Sequence, residues 1–118
     1  MKKVLIFEDN ELVAKSLSRL LKSYGFKANI LLYSPKPNIN FSNLKLKENK
    51  PDYAIIDGLN GCWKDVAPMI EPYNICPIIF SSNEHIVDAA KEQGFYAFNK
   101  PEGLEEMIDL MKTRVKPK

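Results

Sequence analysis

Short apolar runs recur along the chain, and most of them end in a charged or hydroxyl-bearing residue. A continuous apolar run of this length indicates a strand that is buried on both faces, as in a parallel sheet. The first run ends at Glu8-Asp9 and the third at Asp57. The predicted strands lie at 4–7, near 28–32, at 53–56, at 78–80 and at 96–98.

Between the apolar runs, apolar residues return at the three- and four-residue spacing that indicates amphipathic helices. Asn10 is placed to cap a helix that runs to about Tyr24, and Gly25 ends it. Asn83 is placed to cap another helix that Gly94 ends. The segment 34–38 is predicted to be a loop, and 42–49 a weak helix. Around Pro68 the pattern predicts a short or kinked helix whose apolar face carries Trp63, Val66, Ala67 and Ile70. The apolar face of the final predicted helix carries Leu104, Met107, Ile108, Met111 and Val115.

Strands that alternate with helices predict an α/β fold with a five-stranded parallel sheet and helices on both faces. The length of 118 residues fits a single domain, 1–118, with a polar tail from about residue 116. No output domain fits in this length, so we expect the protein either to act alone through protein contacts or to be part of a longer chain.

Composition narrows the class of protein without identifying it. The chain is 45% hydrophobic and 27% charged, which is ordinary for a globular protein. A net charge of +2 gives no reason to expect nucleic-acid contact. No apolar run is long enough for a signal peptide or a membrane span. The two cysteines, Cys62 and Cys76, are expected to be reduced, as in a cytoplasmic protein.

The strand ends carry the candidate chemistry. The carboxyl ends of parallel strands meet at one edge, so Glu8, Asp9, Asp57, Ser82 and Lys100 are expected to face one pocket. Clustered carboxylates repel one another unless a cation joins them, and oxygen ligands suit Mg²⁺. An aspartate can act as a nucleophile that forms an acyl phosphate. Lys100 and the Ser82 hydroxyl could then bind the phosphate oxygens.

In these features the chain resembles the response-regulator receiver domains of two-component signalling, over essentially its whole length. The resemblance implies a flavodoxin-like sheet with strand order 2-1-3-4-5. Four segments carry the resemblance in the expected order: the first strand with its acidic pair at 4–11, the segment 51–57 that ends in the acceptor, the segment 77–82 with its serine, and Asn99-Lys100-Pro101 with its lysine, which the family often follows with a cis proline bond.

The resemblance also implies a function. Asp57 would accept a phosphoryl group from a histidine kinase or phosphotransfer protein, with Lys100 and Ser82 on the phosphate. Glu8, Asp9, Asp57 and the backbone carbonyl of Leu59 would hold Mg²⁺. The protein would then switch its contacts with an unidentified protein target near the last two helices and the fifth strand. It would not be a multiple-turnover enzyme, and it would contact neither nucleic acid nor membrane.

The chain also departs from the family pattern. Gly58-Leu59-Asn60-Gly61-Cys62 replaces the usual Met-Pro pair and glycine, and the stretch from Asp57 to Ser82 is shorter than usual. Asn83 stands where a small residue is usual, and Ala97 takes the place of the switch aromatic. Strand alternation predicts that Tyr96 and Phe98 both point away from the Ala97 side.

Three alternatives remain open from the sequence. The departures favour a degenerate receiver that binds proteins without phosphorylation. A haloacid-dehalogenase-type Mg²⁺ phosphohydrolase would need a DxD motif, which the run from Glu8 to Glu11 lacks. A flavin carrier would need a hydroxyl- and glycine-rich loop after the first strand. His85 has no partner at ligand spacing and is expected to be exposed rather than metal-bound.

Overall fold

The computed structural model describes residues 2–32, 50–57 and 63–113. The predicted loop at 34–38, the helix at 42–49, the segment 58–62 and the tail fall outside these ranges. In chain order the elements are β1 (Lys3–Glu8), α1 (Glu11–Ser23), β2 (Lys27–Leu32), β3 (Tyr53–Ile56), α2 (Trp63–Ile70), a short 3-10 helix (Glu71–Tyr73), β4 (Cys76–Ser81), α3 (Glu84–Glu92), β5 (Tyr96–Asn99) and α4 (Leu104–Thr113).

The five strands form one parallel sheet in the order β2-β1-β3-β4-β5, which confirms the predicted fold. Side chains alternate between the two faces of a strand, so each strand supplies two cores. One core joins the sheet to α2 and α3, and the other joins it to α1 and α4. Helices therefore cover both faces of the sheet. The charged side chains of the predicted site lie at or just beyond the ends of the strands.

Both helices with a predicted asparagine cap begin where the sequence indicates. The Asn10 side chain accepts hydrogen bonds from the backbone of Leu12 and Val13, and Asn83 does the same at the start of α3. At the other ends, Gly25 and Gly94 adopt positive φ angles of 93° and 89°. These angles favour glycine and end each helix before the following strand.

The predicted short helix around Pro68 is α2, which spans only 8 residues. Proline cannot donate its backbone hydrogen bond inside a helix, and the helix ends soon after it. Trp63, Val66, Ala67 and Ile70 are all buried, as the apolar spacing predicts. They cover the sheet on the side of β3 and β4, next to α3.

The strand before Lys100 alternates as predicted. Ala97 is buried at 4% exposure and belongs to the core under α2 and α3. Phe98 packs against the opposite core, and Tyr96 is 43% exposed. The small Ala97 side chain therefore occupies the α3 side of β5 without an aromatic neighbour from its own strand.

Other sequence-based expectations concern single residues and helix length. His85 is exposed on α3, and the Cys76 side chain is partly buried. The Lys100–Pro101 peptide bond is cis. None of the helices within the described ranges is long and apolar enough to cross a membrane.

A Gly103→Ala substitution is expected to destabilise the fold, because Gly103 lies against the end of β5. A methyl group there would come within 2.8 Å of the Asn99 carbonyl oxygen and 2.9 Å of the Phe98 Cβ atom. Backbone atoms cannot move aside cheaply, so we expect a loss of about 1–3 kcal/mol in the free energy of unfolding, measured by urea denaturation. The exposed neighbour Glu102→Ala is the control and should change little. An unchanged midpoint for Gly103→Ala would contradict this reading of the packing.

Candidate functional site

The strand ends bring together a cluster of charged side chains at one edge of the sheet. Glu8 is the last residue of β1, Asp57 follows β3, and Lys100 follows β5. Backbone hydrogen bonds continue the sheet past two of these ends: the Asp57 amide donates to the Phe7 carbonyl at 3.0 Å, and the Lys100 amide donates to the Ser81 carbonyl at 2.9 Å. The backbone thus fixes where the Asp57 and Lys100 side chains begin.

The Lys100 ammonium bridges two carboxylates. Its Nζ atom lies 2.8 Å from Asp57 Oδ1 and 3.1 Å from Glu8 Oε2. The same nitrogen lies 5.5 Å from the centre of the Phe80 ring, within the range of a cation–π contact. Burial disfavours the charged lysine, but hydrogen bonding and attraction from Asp57, followed by Glu8, outweigh it and raise the pKa of Lys100. The lysine is therefore a fixed positive charge at neutral pH.

Glu8 is a buried carboxylate rather than a solvated one, with only 4% of its surface exposed. Its Oε1 atom accepts hydrogen bonds from the backbone amides of Asp9 at 3.1 Å and Asn10 at 3.2 Å. Burial raises the pKa of Glu8, and the neighbouring Asp9 carboxyl adds to this, whereas Lys100 lowers it. The side chain is held at both oxygens, so it cannot easily turn away from the cluster.

The acidic side chains form a set of oxygen donors that fits a divalent cation. One carboxylate oxygen from each of Glu8, Asp9 and Asp57 lies within 4.8 Å of the others. Asp9 is exposed, so an ion could reach the cluster from solvent, while Glu8 is buried beneath it. Oxygen-only donors of high negative charge suit hard cations such as Mg²⁺ or Ca²⁺. The predicted fourth donor, the carbonyl of Leu59, lies outside the described residues.

Ser82 was predicted from the sequence as a phosphate ligand, whereas the contact between the Phe80 ring and Lys100 was not predicted. Ser82 lies one residue beyond β4 and is exposed, whereas Ser81 is buried. A role for Ser82 on a phosphate stays a prediction. The Phe80 contact with Lys100 was missed by the sequence reasoning, although alternation along β4 places Phe80 on the same face as Phe98.

An open apolar groove lies beside the charged cluster. It runs between α1 and the start of α4 and has a volume of about 360 Å³. Leu12 and Val13 lie along one side, Leu104 on the other, and Phe80 and Lys100 between them. Leu12 is 76% exposed, so part of the apolar lining of the groove faces solvent. Lys100 thus contacts the groove and the carboxylates at once.

A Lys100→Met substitution is expected to lower stability most when no divalent cation is present. It leaves the buried Glu8 carboxylate facing Asp57 without a positive charge between them. Since the site is partly exposed, we expect a loss of about 1–3 kcal/mol in the free energy of unfolding. Added Mg²⁺ should recover more stability in this variant than in the unchanged protein, because the ion replaces the missing charge.

The control for this variant is Lys15→Met on α1. Lys15 lies 3.7 Å from Glu11, but both side chains are 58% exposed, so the pair contributes little. Thermal unfolding with Mg²⁺ and with a chelator measures both effects. Equal recovery by Mg²⁺ in Lys100→Met and the unchanged protein would show that Lys100 does not balance these carboxylates.

Comparison with known proteins supports the fold through structure rather than sequence. No protein-family model matches the chain, and neither does any curated protein sequence. A response regulator receiver protein from Burkholderia phymatum superimposes with a TM-score of 0.74 over 99% of this chain and 100% of that one, at 16% identity. The chain has the receiver-domain fold. A two-component response regulator from Clostridium difficile gives a TM-score of 0.70 over 95% of this chain and 93% of that one, at 18% identity.

Another receiver-fold structure is informative about chemistry in that protein. A response regulator from Burkholderia pseudomallei, crystallised with a phosphorylated aspartic acid, a calcium ion and citrate, matches with a TM-score of 0.68 and 20% identity. The match covers 96% of this chain and 68% of that one. The receiver fold thus accommodates a phosphoaspartate and a divalent cation in that protein, and the cluster of Glu8, Asp9 and Asp57 offers suitable ligands in this one.

Proposed function

We propose that the protein is a phosphoacceptor switch of two-component signalling, in which Asp57 accepts the phosphoryl group. The observation that carries the proposal is the bridge from Lys100 to Asp57, at 2.8 Å, beside the acidic pair Glu8-Asp9. A strand stop or helix cap needs none of these partners. A nucleophilic carboxylate needs nearby positive charge before an anionic phosphoryl donor can approach it. Lys100 supplies one such charge, and the three carboxylates would hold a divalent cation as the other.

The reaction transfers a phosphoryl group from a phosphohistidine on a histidine kinase or phosphotransfer protein. An oxygen of the Asp57 carboxylate forms the new bond to phosphorus while the bond to the imidazole nitrogen breaks, and the donor histidine leaves with that electron pair. Glu8, Asp9 and Asp57 would hold Mg²⁺, which offsets charge on the transferring group when bound. Lys100 would contact the phosphate oxygens, and Ser82 would donate a hydrogen bond to one of them.

The protein is proposed to act as a switch and not as a multiple-turnover enzyme. Each chain has one acceptor carboxylate in this role, and water later removes the phosphoryl group from it. The change in charge at Asp57 would bias the equilibrium between two states of the fold and so alter the contacts with a downstream protein. We place this activity in the cytoplasm, in line with the reduced cysteines expected from the sequence.

A phosphorylation-independent binding module is the second candidate. The observation that favours it is Ala97, which is buried where the resemblance leads us to expect an aromatic residue. The buried Glu8 and the Lys100 bridge argue for retained phosphate chemistry, since a simple binding module has no need to bury a carboxylate beside another.

The test is intact-mass analysis after incubation with acetyl phosphate, a small phosphoryl donor. We expect the mass of one phosphoryl group to appear in the presence of Mg²⁺, to be absent with a chelator and to be lost at alkaline pH, as acyl phosphates are. A chain that gains no phosphoryl group from acetyl phosphate or from any kinase would be a binding module. Continuous phosphate release from many small esters would instead indicate a hydrolase.

A further inference from the structure

The side-chain oxygen of Asn99 is buried, and within the described residues no group donates a hydrogen bond to it. A buried acceptor that lacks a donor costs free energy, and native structures keep few of them. Asn99 is the last residue of β5 and comes directly before Lys100. Asn99 is therefore the immediate neighbour of a residue of the charged cluster. The lack of a described donor for its buried oxygen requires a physical explanation.

A candidate donor lies on the neighbouring strand, β4. Asn99 pairs with Ser81 in the sheet register, just as Ala97 pairs with Ile79. Alternation puts all four side chains on the face that α2 and α3 cover. Ser81 is only 4% exposed, so the ends of β4 and β5 present two adjacent polar groups inside an otherwise apolar face.

The Ser81 hydroxyl has a proton to give. Its Oγ atom accepts a hydrogen bond from the Asn83 amide at 3.1 Å, and within the described residues it donates to no acceptor. Asn83 in turn caps α3, since its side-chain oxygen accepts from the His85 amide at 2.9 Å and the Ile86 amide at 3.4 Å. A shift of the Ser81 hydroxyl would therefore act on the residue that fixes the start of α3.

The same pair of strand ends is connected to the reactive carboxylate. The Lys100 amide donates to the Ser81 carbonyl at 2.9 Å, and the Lys100 side chain is bonded to Asp57 and Glu8. A phosphoryl group on Asp57 would compete with Glu8 for the ammonium. Lys100 is therefore linked to Asp57 through its side chain and to the strand pair of Asn99 and Ser81 through its backbone.

We propose that Asn99 is a positioning residue that couples the state of Asp57 to the start of α3. In the unphosphorylated protein no group within the described residues donates a hydrogen bond to its side-chain oxygen. In the phosphorylated protein it accepts a hydrogen bond from the Ser81 hydroxyl, and this bond favours the phosphorylated arrangement. The proposal rests on the proposed function of Asp57. One hydrogen bond between neutral groups corresponds to a shift of about 3- to 10-fold in the equilibrium between the two arrangements.

The test uses the full chain with Mg²⁺ and beryllofluoride, a stable mimic of the phosphoryl group. Asn99→Leu keeps the side-chain shape but removes the acceptor, and Ser81→Ala removes the donor. The double variant completes a thermodynamic cycle. Asn29→Leu, an exposed asparagine on β2, is the matched control. The two readouts are the affinity for beryllofluoride and the movement of the amide NMR signals of residues 83–87.

We expect Asn99→Leu to bind beryllofluoride about 3- to 10-fold more weakly, with smaller shifts at residues 83–87. Ser81→Ala should have a similar effect, and the double variant should lose little more. Unchanged affinity and unchanged shifts in Asn99→Leu would overturn the coupling while leaving Asp57 as the acceptor, and so would additive losses in the double variant. Absence of beryllofluoride binding by the unchanged protein would overturn the proposed function and this inference together.

Discussion

The Asp57→Asn variant is expected to gain no phosphoryl group under conditions in which the unchanged protein gains one. An amide oxygen carries no full negative charge and is a far weaker nucleophile than a carboxylate oxygen. Asparagine has nearly the same shape and can still accept the hydrogen bond from Lys100, so the fold should be kept. Intact-mass analysis after incubation with acetyl phosphate and Mg²⁺ measures the loss.

The matched control is Asp88→Asn. Asp88 is exposed on α3 and is not among the residues of the acidic cluster. The Asp88→Asn variant should be phosphorylated at the rate of the unchanged protein, which would exclude a general effect of removing one negative charge. If Asp57→Asn gained the phosphoryl group as readily as Asp88→Asn, the acceptor would have to be a different residue.

The largest effect on stability is expected from Trp63→Ala. Trp63 is 1% exposed at the start of α2, and its ring meets the Phe95 ring edge to face, with centroids 6.0 Å apart. Removing this side chain leaves a cavity between α2, α3 and the sheet. The expected cost is about 3–5 kcal/mol of unfolding free energy, a large share of the 5–15 kcal/mol typical of a domain.

Trp63→Phe and Lys64→Ala separate the possible causes of that loss. Trp63→Phe keeps an apolar ring and should cost clearly less than Trp63→Ala. Lys64 lies 5.9 Å from the centre of the Trp63 ring, but it is exposed, so Lys64→Ala should change stability by about 0.5 kcal/mol or less. Urea denaturation measures all three. A loss below about 1 kcal/mol in Trp63→Ala would mean that this core does not depend on the indole.

The fold was predictable because its determinants are local. The apolar runs at 53–56 and 4–7 have the length and bounds of buried strands, and Asn10 and Asn83 cap helices through contacts within three residues of themselves. Gly25 and Gly94 end helices by backbone conformation alone. The weaker signal around Pro68 also gave the correct short helix, because a proline in the interior of a helix limits its length.

For the site, the sequence predicts which residues meet at the edge of the sheet but not which of them are in contact. Parallel strands bring Asp57 and Lys100 to one edge, but the sequence does not show which carboxylates the lysine bridges or that Glu8 is buried. Those features depend on side-chain packing between residues more than forty positions apart. The Asn99 oxygen, for which the described residues supply no donor, could not be predicted for the same reason, since its neighbour across the sheet comes from β4.

Reductive trapping of the phosphorylated protein tests the central claim most directly. Borohydride reduces an acyl phosphate to an alcohol, so an acceptor aspartate becomes homoserine, and mass spectrometry of the peptides locates it. After incubation with acetyl phosphate and Mg²⁺, we predict homoserine at position 57 and nowhere else. A reduced residue at Glu8, Asp9 or any other carboxylate, or a phosphoryl group that resists borohydride, would contradict the assignment of Asp57 as the acceptor.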